Sequence, residues 1–210
     1  MMNIMNYVIS IIAALALAPA ALASNSDSDI LVKIEKANSE YSTLKADFNQ
    51  TRKIKATGKE IYLQGTLCFS REDKMSMQYS DPNERLVING SKFYMKRGGK
   101  ANTFNTESNS LMKTLSGTLL GCISGHPAKV AKDYKADLKV SDSGKAYVVT
   151  ITASKDSPKK YSKIELSYRN TDCVLVKMVM EEAAGISNVY EMSSVKKNAA
   201  IAPENFAIPR

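Results

Sequence analysis

The chain of 210 residues carries 29 Lys and Arg against 21 Asp and Glu, a net charge of +8, with one histidine and no tryptophan. A single histidine removes most general-base and metal-ligand arrangements. Basic residues interleaved with acids along the whole chain do not make the basic, aromatic-studded face that nucleic acids need, so the excess charge reads as a solvated surface or an affinity for anionic membranes and acidic partners.

Residues 1–23 contain no Asp, Glu, Lys or Arg, and an apolar run from Tyr7 to Ala18 leads into Pro19 and the small-residue triplet Ala21-Leu22-Ala23. This predicts a signal peptide cut near Ala23, with an uncleaved anchor as the alternative. The apolar core is about fifteen residues, short of the ~20 that span a bilayer. Residues 24–210 are then expected to form one exported, soluble domain in the periplasm, with no cysteine at the cut to take a lipid anchor. Cys68, Cys122 and Cys173 are odd in number, so at least one thiol is free; buried thiols are expected, with a Cys68–Cys173 disulfide as the alternative.

Asp27 or Asp29 can cap a helix with Ile30, Ile34, Ala37, Tyr41 and Leu44 on one face. From Ala46 the period changes to two. Between Gly65 and Met95, Leu67 and Phe69 share one strand face, Met75, Met77 and Tyr79 another, and Phe93 and Met95 a third. Gly58, Ser80-Asp81-Pro82-Asn83, Asn89-Gly90 and Gly98-Gly99 supply turns. Arg71 ends the first of these strands, so the pattern is an apolar sheet face with a cation at its rim.

Alternation stops between Thr106 and Gly125, where Ser108 or Asn109 can cap a helix carrying Leu111, Met112, Leu115, Leu119, Leu120 and Ile123. Gly117 and Gly121 weaken it by about 1 kcal/mol each relative to alanine. It reads equally as a core helix or as a movable lid. Strands resume at Ala136, Tyr147, Lys163, Val174 and Ile186, separated by Ser143-Gly144, Ser157-Pro158, Asn170-Thr171-Asp172 and Gly185. About ten or eleven strands in sequence order predict an α+β fold: a single highly curved antiparallel sheet wrapped around helices.

Catalytic and cofactor motifs are missing: no phosphate loop, no nucleophile elbow, no metal-ligand cluster. Cys122 and His126 are four apart, but Gly125 and Pro127 flank the histidine and end the helix there. Neither an enzyme nor a cofactor is expected.

In order along the chain come the amphipathic helix, Tyr41-Ser-Thr-Leu-Lys-Ala-Asp-Phe-Asn-Gln50, Gly65-x-Leu-x-Phe-x-Arg71 with Met75 four positions on, Tyr79-x-x-Pro82, Val87-Ile88-Asn89-Gly90 and Pro203-Glu-Asn-Phe-Ala-Ile-Pro209. Together they resemble the periplasmic outer-membrane lipoprotein carrier (LolA-like) family over nearly the whole chain after residue 23. The resemblance implies an eleven-stranded unclosed half-barrel with helices over its concave face, and Arg71 as a latch hydrogen-bonded to the lid. Glu72 stands where the family commonly has proline, and a carboxylate there could compete for Arg71.

The role implied by the resemblance is that of a monomeric carrier, which shuttles lipoprotein acyl chains from an inner-membrane ABC transporter complex to an outer-membrane acceptor. A sixteen-carbon chain gives up roughly 12 kcal/mol on leaving a bilayer, which only an apolar cavity can replace. The expected lining is Phe48, Leu67, Phe69, Met75, Met77, Phe93, Met95, Leu115 and Leu119, beneath a lid of Leu111, Met112, Leu115 and Leu119. The alternatives are a glycolipid or other hydrophobic envelope molecule as cargo on the same fold, or an envelope scaffold with a filled core.

Overall fold

Helix α1 (Asp27–Ser39) begins with Asp27 and Asp29 in its first turn, where the helix dipole favours acids, and buries Ile30, Ile34 and Asn38. The structure, a computed structural model, describes residues 27–154 and 160–209. The predicted signal peptide, the boundary at Ala23 and the Ser157-Pro158 turn lie outside the described residues. Tyr41 and Leu44, expected on the helix, lie beyond its end. Leu44, Ala46 and Phe48 also alternate, and pairing on both sides recruits them into β1 (Thr43–Ile54), which lies between β2 (Lys59–Ser70) and β11 (Ile186–Lys197).

The sheet grows outward from β1. One half runs through β2, β3 (Lys74–Tyr79), β4 (Arg85–Asn89) and β5 (Lys92–Arg97) to an edge at β6 (Lys100–Asn105). The chain then crosses through α2 (Ser110–Ile123) and α3 (Pro127–Tyr134) to the opposite edge, β7 (Asp137–Asp142). It returns through β8 (Ala146–Thr152), β9 (Tyr161–Arg169) and β10 (Leu175–Glu182) to β11, which pairs with β1. All neighbours are antiparallel in one sheet of eleven strands whose edges, β6 and β7, do not meet.

Register aligns the apolar positions in rows across the strands. Phe69, Met75, Ile88, Phe93 and Phe104 form one row, and Ala46, Leu67, Met77, Leu86 and Met95 the next. Both rows join one core with α1, α2 and α3. Phe48, Gly65 and Tyr79 make a third row, in which the Phe48 and Tyr79 rings meet edge to face at 5.1 Å across the glycine.

Helix α2 is capped by Asn109, whose Oδ1 accepts from Met112 N at 3.0 Å. Helix α3 is additional to the elements expected from the sequence. His126 stands at its N-cap position, Pro127 takes the first helical turn, and Val130, Ala131 and Tyr134 are buried. The two helices pack closely because Gly121 has no side chain; a Cβ there would come within 2.6 Å of Val130 Cγ2. Beyond β11, the closing segment folds over β3 and β4, with Phe206 buried and its carbonyl accepting from Asn89 Nδ2 at 3.1 Å.

Candidate functional site

The inward rows of β1 to β5 hold the residues expected to line a cavity. Phe48, Leu67, Phe69, Met75, Met77 and Phe93 are buried, Met95 is half-buried, and Leu115 and Leu119 project from α2 into the same core. The open volume differs from expectation. Where Leu115 and Leu119 meet Met77, Leu86 and Met95, a cavity of about 50 Å³ remains, whereas pockets for drug-sized ligands run to about 300–1,000 Å³. Two leucines fill the groove, because an apolar face left without contacts forfeits dispersion energy.

Helix α2 is held unequally along its length. Near its C-terminal end the Tyr168 hydroxyl donates to Cys122 O at 3.0 Å and the Tyr41 hydroxyl approaches Ile123 O at 3.4 Å. Just beyond, Gly125 lies in the left-handed region at φ +77°, and a Cβ there would strike the Asn38 side chain at 2.6 Å. Asn38, fully buried, acts as the bracket: its Nδ2 donates to Ile34 O and Cys173 O, each at 2.8 Å, and its Oδ1 accepts from the Tyr41 hydroxyl at 2.5 Å. At the other end Leu111 is 50 % exposed and Met112 half-buried. Of the four residues expected on the lid helix, only Leu115 and Leu119 are fully buried.

Arg71 does not bond α2. Its Nε donates to Tyr41 O at 2.6 Å, in the connection from α1 to β1, and its Nη2 to Asn38 O, in the last turn of α1, and its guanidinium lies 5.8 Å from the Tyr41 ring centre. It therefore ties down the bracket beneath the C-terminal end of α2 and does not catch the free end. A cleft of about 270 Å³, lined in part by Phe69, Arg71, Gly117, Leu120 and Ser124, separates it from the helix. Glu72 pairs with Lys74, not Arg71, so the expected competition is absent. Backbone carbonyls are the partners, and no residue type in the sequence announces them.

The three thiols are free and buried, so no Cys68–Cys173 disulfide forms. Burial pushes the Cys122 thiol up to about 12 from its ordinary 9.0 and raises the hydroxyls of Tyr41 and Tyr168. These groups are neutral when protonated, and their folded values lie above the unfolded ones. Their contribution to stability is complete below about pH 9 and falls as the pH climbs towards 12. Urea midpoints should therefore be flat from about pH 7 to 9 and decline above it; a constant midpoint up to about pH 11 would contradict this packing.

Among the described residues no group of His, Cys, Asp and Glu could hold a metal ion, and no helix is long and apolar enough to cross a membrane. The family model described as outer membrane lipoprotein carrier protein LolA matches residues 39–209. The chain belongs to the LolA family. The match covers every strand, α2 and α3, and the closing segment. An outer-membrane lipoprotein carrier protein of Chromobacterium violaceum is 25% identical over 192 residues, covering 90% of this chain and 87% of that one.

Among solved structures, an uncharacterized conserved protein from Thermus thermophilus superposes with a TM-score of 0.51 at 11% identity, covering 87% of this chain and 94% of the other. The LolA superfamily protein NE2245 of Nitrosomonas europaea gives a TM-score of 0.44 at 12% identity, over 86% and 97%. The α+β half-barrel is the fold of a LolA-family carrier, unclosed between β6 and β7.

Proposed function

We propose that the protein is a periplasmic carrier which holds lipoprotein acyl chains between the concave face of its sheet and α2. The supporting observation is a continuous apolar face closed by a helix that is anchored near its C-terminal end and exposed at Leu111. Lifting the free end withdraws Leu115 and Leu119 and opens the rows containing Phe48, Leu67, Phe69, Met75, Met77, Phe93 and Met95. The chain takes the place of the two leucines, so the apolar area lost in opening is regained on loading. Methionine suits this exchange, because its unbranched side chain repacks at little cost.

In this reading residues 1–23 export the chain, an inner-membrane ABC transporter complex loads it, an outer-membrane acceptor unloads it, and a monomer makes the journey. It binds without catalysing. A second reading, an envelope scaffold with a filled core, is favoured by the 50 Å³ volume. Native mass spectrometry of the protein isolated from an envelope separates them: a lipoprotein mass on the chain supports the carrier, and protein alone at saturating lipoprotein supports the scaffold.

Arg71 governs closure in this account through the bracket. Arg71→Leu removes the bonds to the last turn of α1 and to Tyr41 beyond it and should reduce transfer of lipoprotein between membranes by about tenfold or more, since charge-assisted bonds contribute about 1.5–3 kcal/mol each. Transfer at the wild-type rate would remove Arg71 from the mechanism.

A further inference from the structure

The inward positions of β1 run apolar through Leu44, Ala46 and Phe48, then turn polar at Gln50 and Arg52 while remaining buried. The neighbouring strand changes in step, since Gln50 faces Tyr190 and Arg52 faces Asn188 on β11. Asn188 Oδ1 accepts from Gln50 Nε2 at 2.8 Å and from Arg52 Nε at 3.2 Å, and Gln50 Oε1 has no partner. Arg52 is only 7% exposed. A buried guanidinium is costly unless it is fully paired. Its acid, Glu84, lies at 3.7 Å, beyond the roughly 2.7–2.9 Å of a charge-assisted hydrogen bond.

The same cavity is lined by four more cations, Arg85, Lys96, Arg97 and Lys160, and by the acids Glu84 and Glu182. Lys160 pairs with Glu182 at 3.3 Å, Arg85 Nη2 donates to Ala207 O at 3.0 Å and Lys96 Nζ to Pro82 O at 2.9 Å, while the Arg97 guanidinium has no hydrogen-bond or ion-pair partner among the described residues. Its field nevertheless reaches the Tyr79 and Tyr190 hydroxyls at the mouth. The opposite wall of this cavity is the apolar one, made by Met77, Leu86, Met95, Leu115 and Leu119. Apolar groove and cationic mouth are thus one continuous surface, and the mouth adjoins the Leu115 half of α2, away from the Arg71 cleft.

We propose that this mouth is a head-group subsite, which makes the preferred ligand an acyl chain bearing an anionic head group, phosphate or carboxylate. The inference rests on the carrier reading for an acyl chain beneath α2; because the acylated cysteine of a lipoprotein is neutral, the cargo this mouth favours is an anionic lipid of the envelope. The chain lies where Leu115 and Leu119 now sit, and its head receives the unspent donors of Arg52 and Arg97, with Lys160 adding charge. Burial of Arg52 makes that cation count for more than it would in open water.

Four probes below their micellar concentrations, titrated by displacement of a fluorescent fatty acid, test this: hexadecyl phosphate, monopalmitoylglycerol, hexadecyltrimethylammonium and inorganic phosphate. The wild-type chain should bind hexadecyl phosphate about tenfold or more tightly than the neutral glyceride, and the ammonium most weakly. Arg97→Gln, at an exposed position that does not threaten folding, should shrink that preference to about threefold or less while leaving the glyceride unchanged; Arg52→Gln should abolish it. Equal affinity for all three chains, or an undiminished preference in both variants, overturns the subsite and leaves the carrier intact. Inorganic phosphate binding as tightly as hexadecyl phosphate overturns the amphiphile in favour of a free-anion site. Failure of every chain to bind overturns the carrier reading itself.

Discussion

Alanine at both Leu115 and Leu119 should weaken the closure of α2 and strengthen the binding of acyl chains. The two side chains are 6% and 4% exposed and occupy the groove above Met77, Leu86 and Met95. Removing a buried leucine costs about 2–5 kcal/mol, part of it for the cavity left behind. A global loss of about 3 kcal/mol or more is expected in urea denaturation, with faster hydrogen exchange concentrated in α2. An acyl chain refills the space the leucines vacated, so affinity for a palmitoyl probe should rise about tenfold, equivalent to about 1.4 kcal/mol. A scaffold with a filled core makes the opposite forecast: the same loss of stability with no gain in binding.

Gly65→Ala should cost more than any other single methyl group added to the sheet. A Cβ at Gly65 would lie 2.1 Å from Gln78 O and 2.8 Å from Tyr79 Cα, both backbone atoms that cannot swing aside. The backbone of β3 passes over Gly65 at this point, bending the sheet where Phe48 and Tyr79 meet. Relief requires β2 and β3 to part, breaking bonds such as Ser80 N to Gln64 O at 2.8 Å and flattening the concave face. A loss of about 3 kcal/mol or more is expected from thermal denaturation, together with reduced acyl-chain affinity. A change within about 0.5 kcal/mol, the usual range of surface substitutions, would mean that the curvature does not depend on this glycine.

The sheet is readable from the sequence because its cause is periodic. Leu67, Phe69, Met75, Met77, Phe93 and Met95 alternate without interruption, and turn residues punctuate them, so both strands and faces follow. Tyr41 and Leu44 mislead because their spacing satisfies a helix and a strand alike; pairing with β2 and β11, invisible to a local pattern, decides between them. Helix α3 escapes notice although Pro127 followed by Val130, Ala131 and Tyr134 carries a first-turn proline and helical spacing.

The site is less legible. Arg71 stands out, but its partners are carbonyl oxygens of Asn38 and Tyr41, which every residue possesses. Asn38 looks like a surface residue of an amphipathic helix, and only the fold reveals it holding Ile34, Tyr41 and Cys173 together. Gln50, Arg52 and Asn188 are buried although polarity ordinarily reports exposure, so composition alone does not mark them. The glycines of α2 read as weaknesses, whereas Gly121 is the contact with Val130 and only Gly117 faces open space.

Central to the carrier mechanism is that α2 lifts at its Leu111 end to admit an acyl chain. Hydrogen exchange on the wild-type chain, with and without a saturating synthetic triacylated lipopeptide, tests it most directly. On loading, exchange should quicken in α2 from Leu111 to Leu115, protection should persist near Cys122 and Ile123, and β2 and β3 should gain protection around Leu67 and Met77. Bound lipopeptide with α2 as protected as before, or no binding at all, would contradict it.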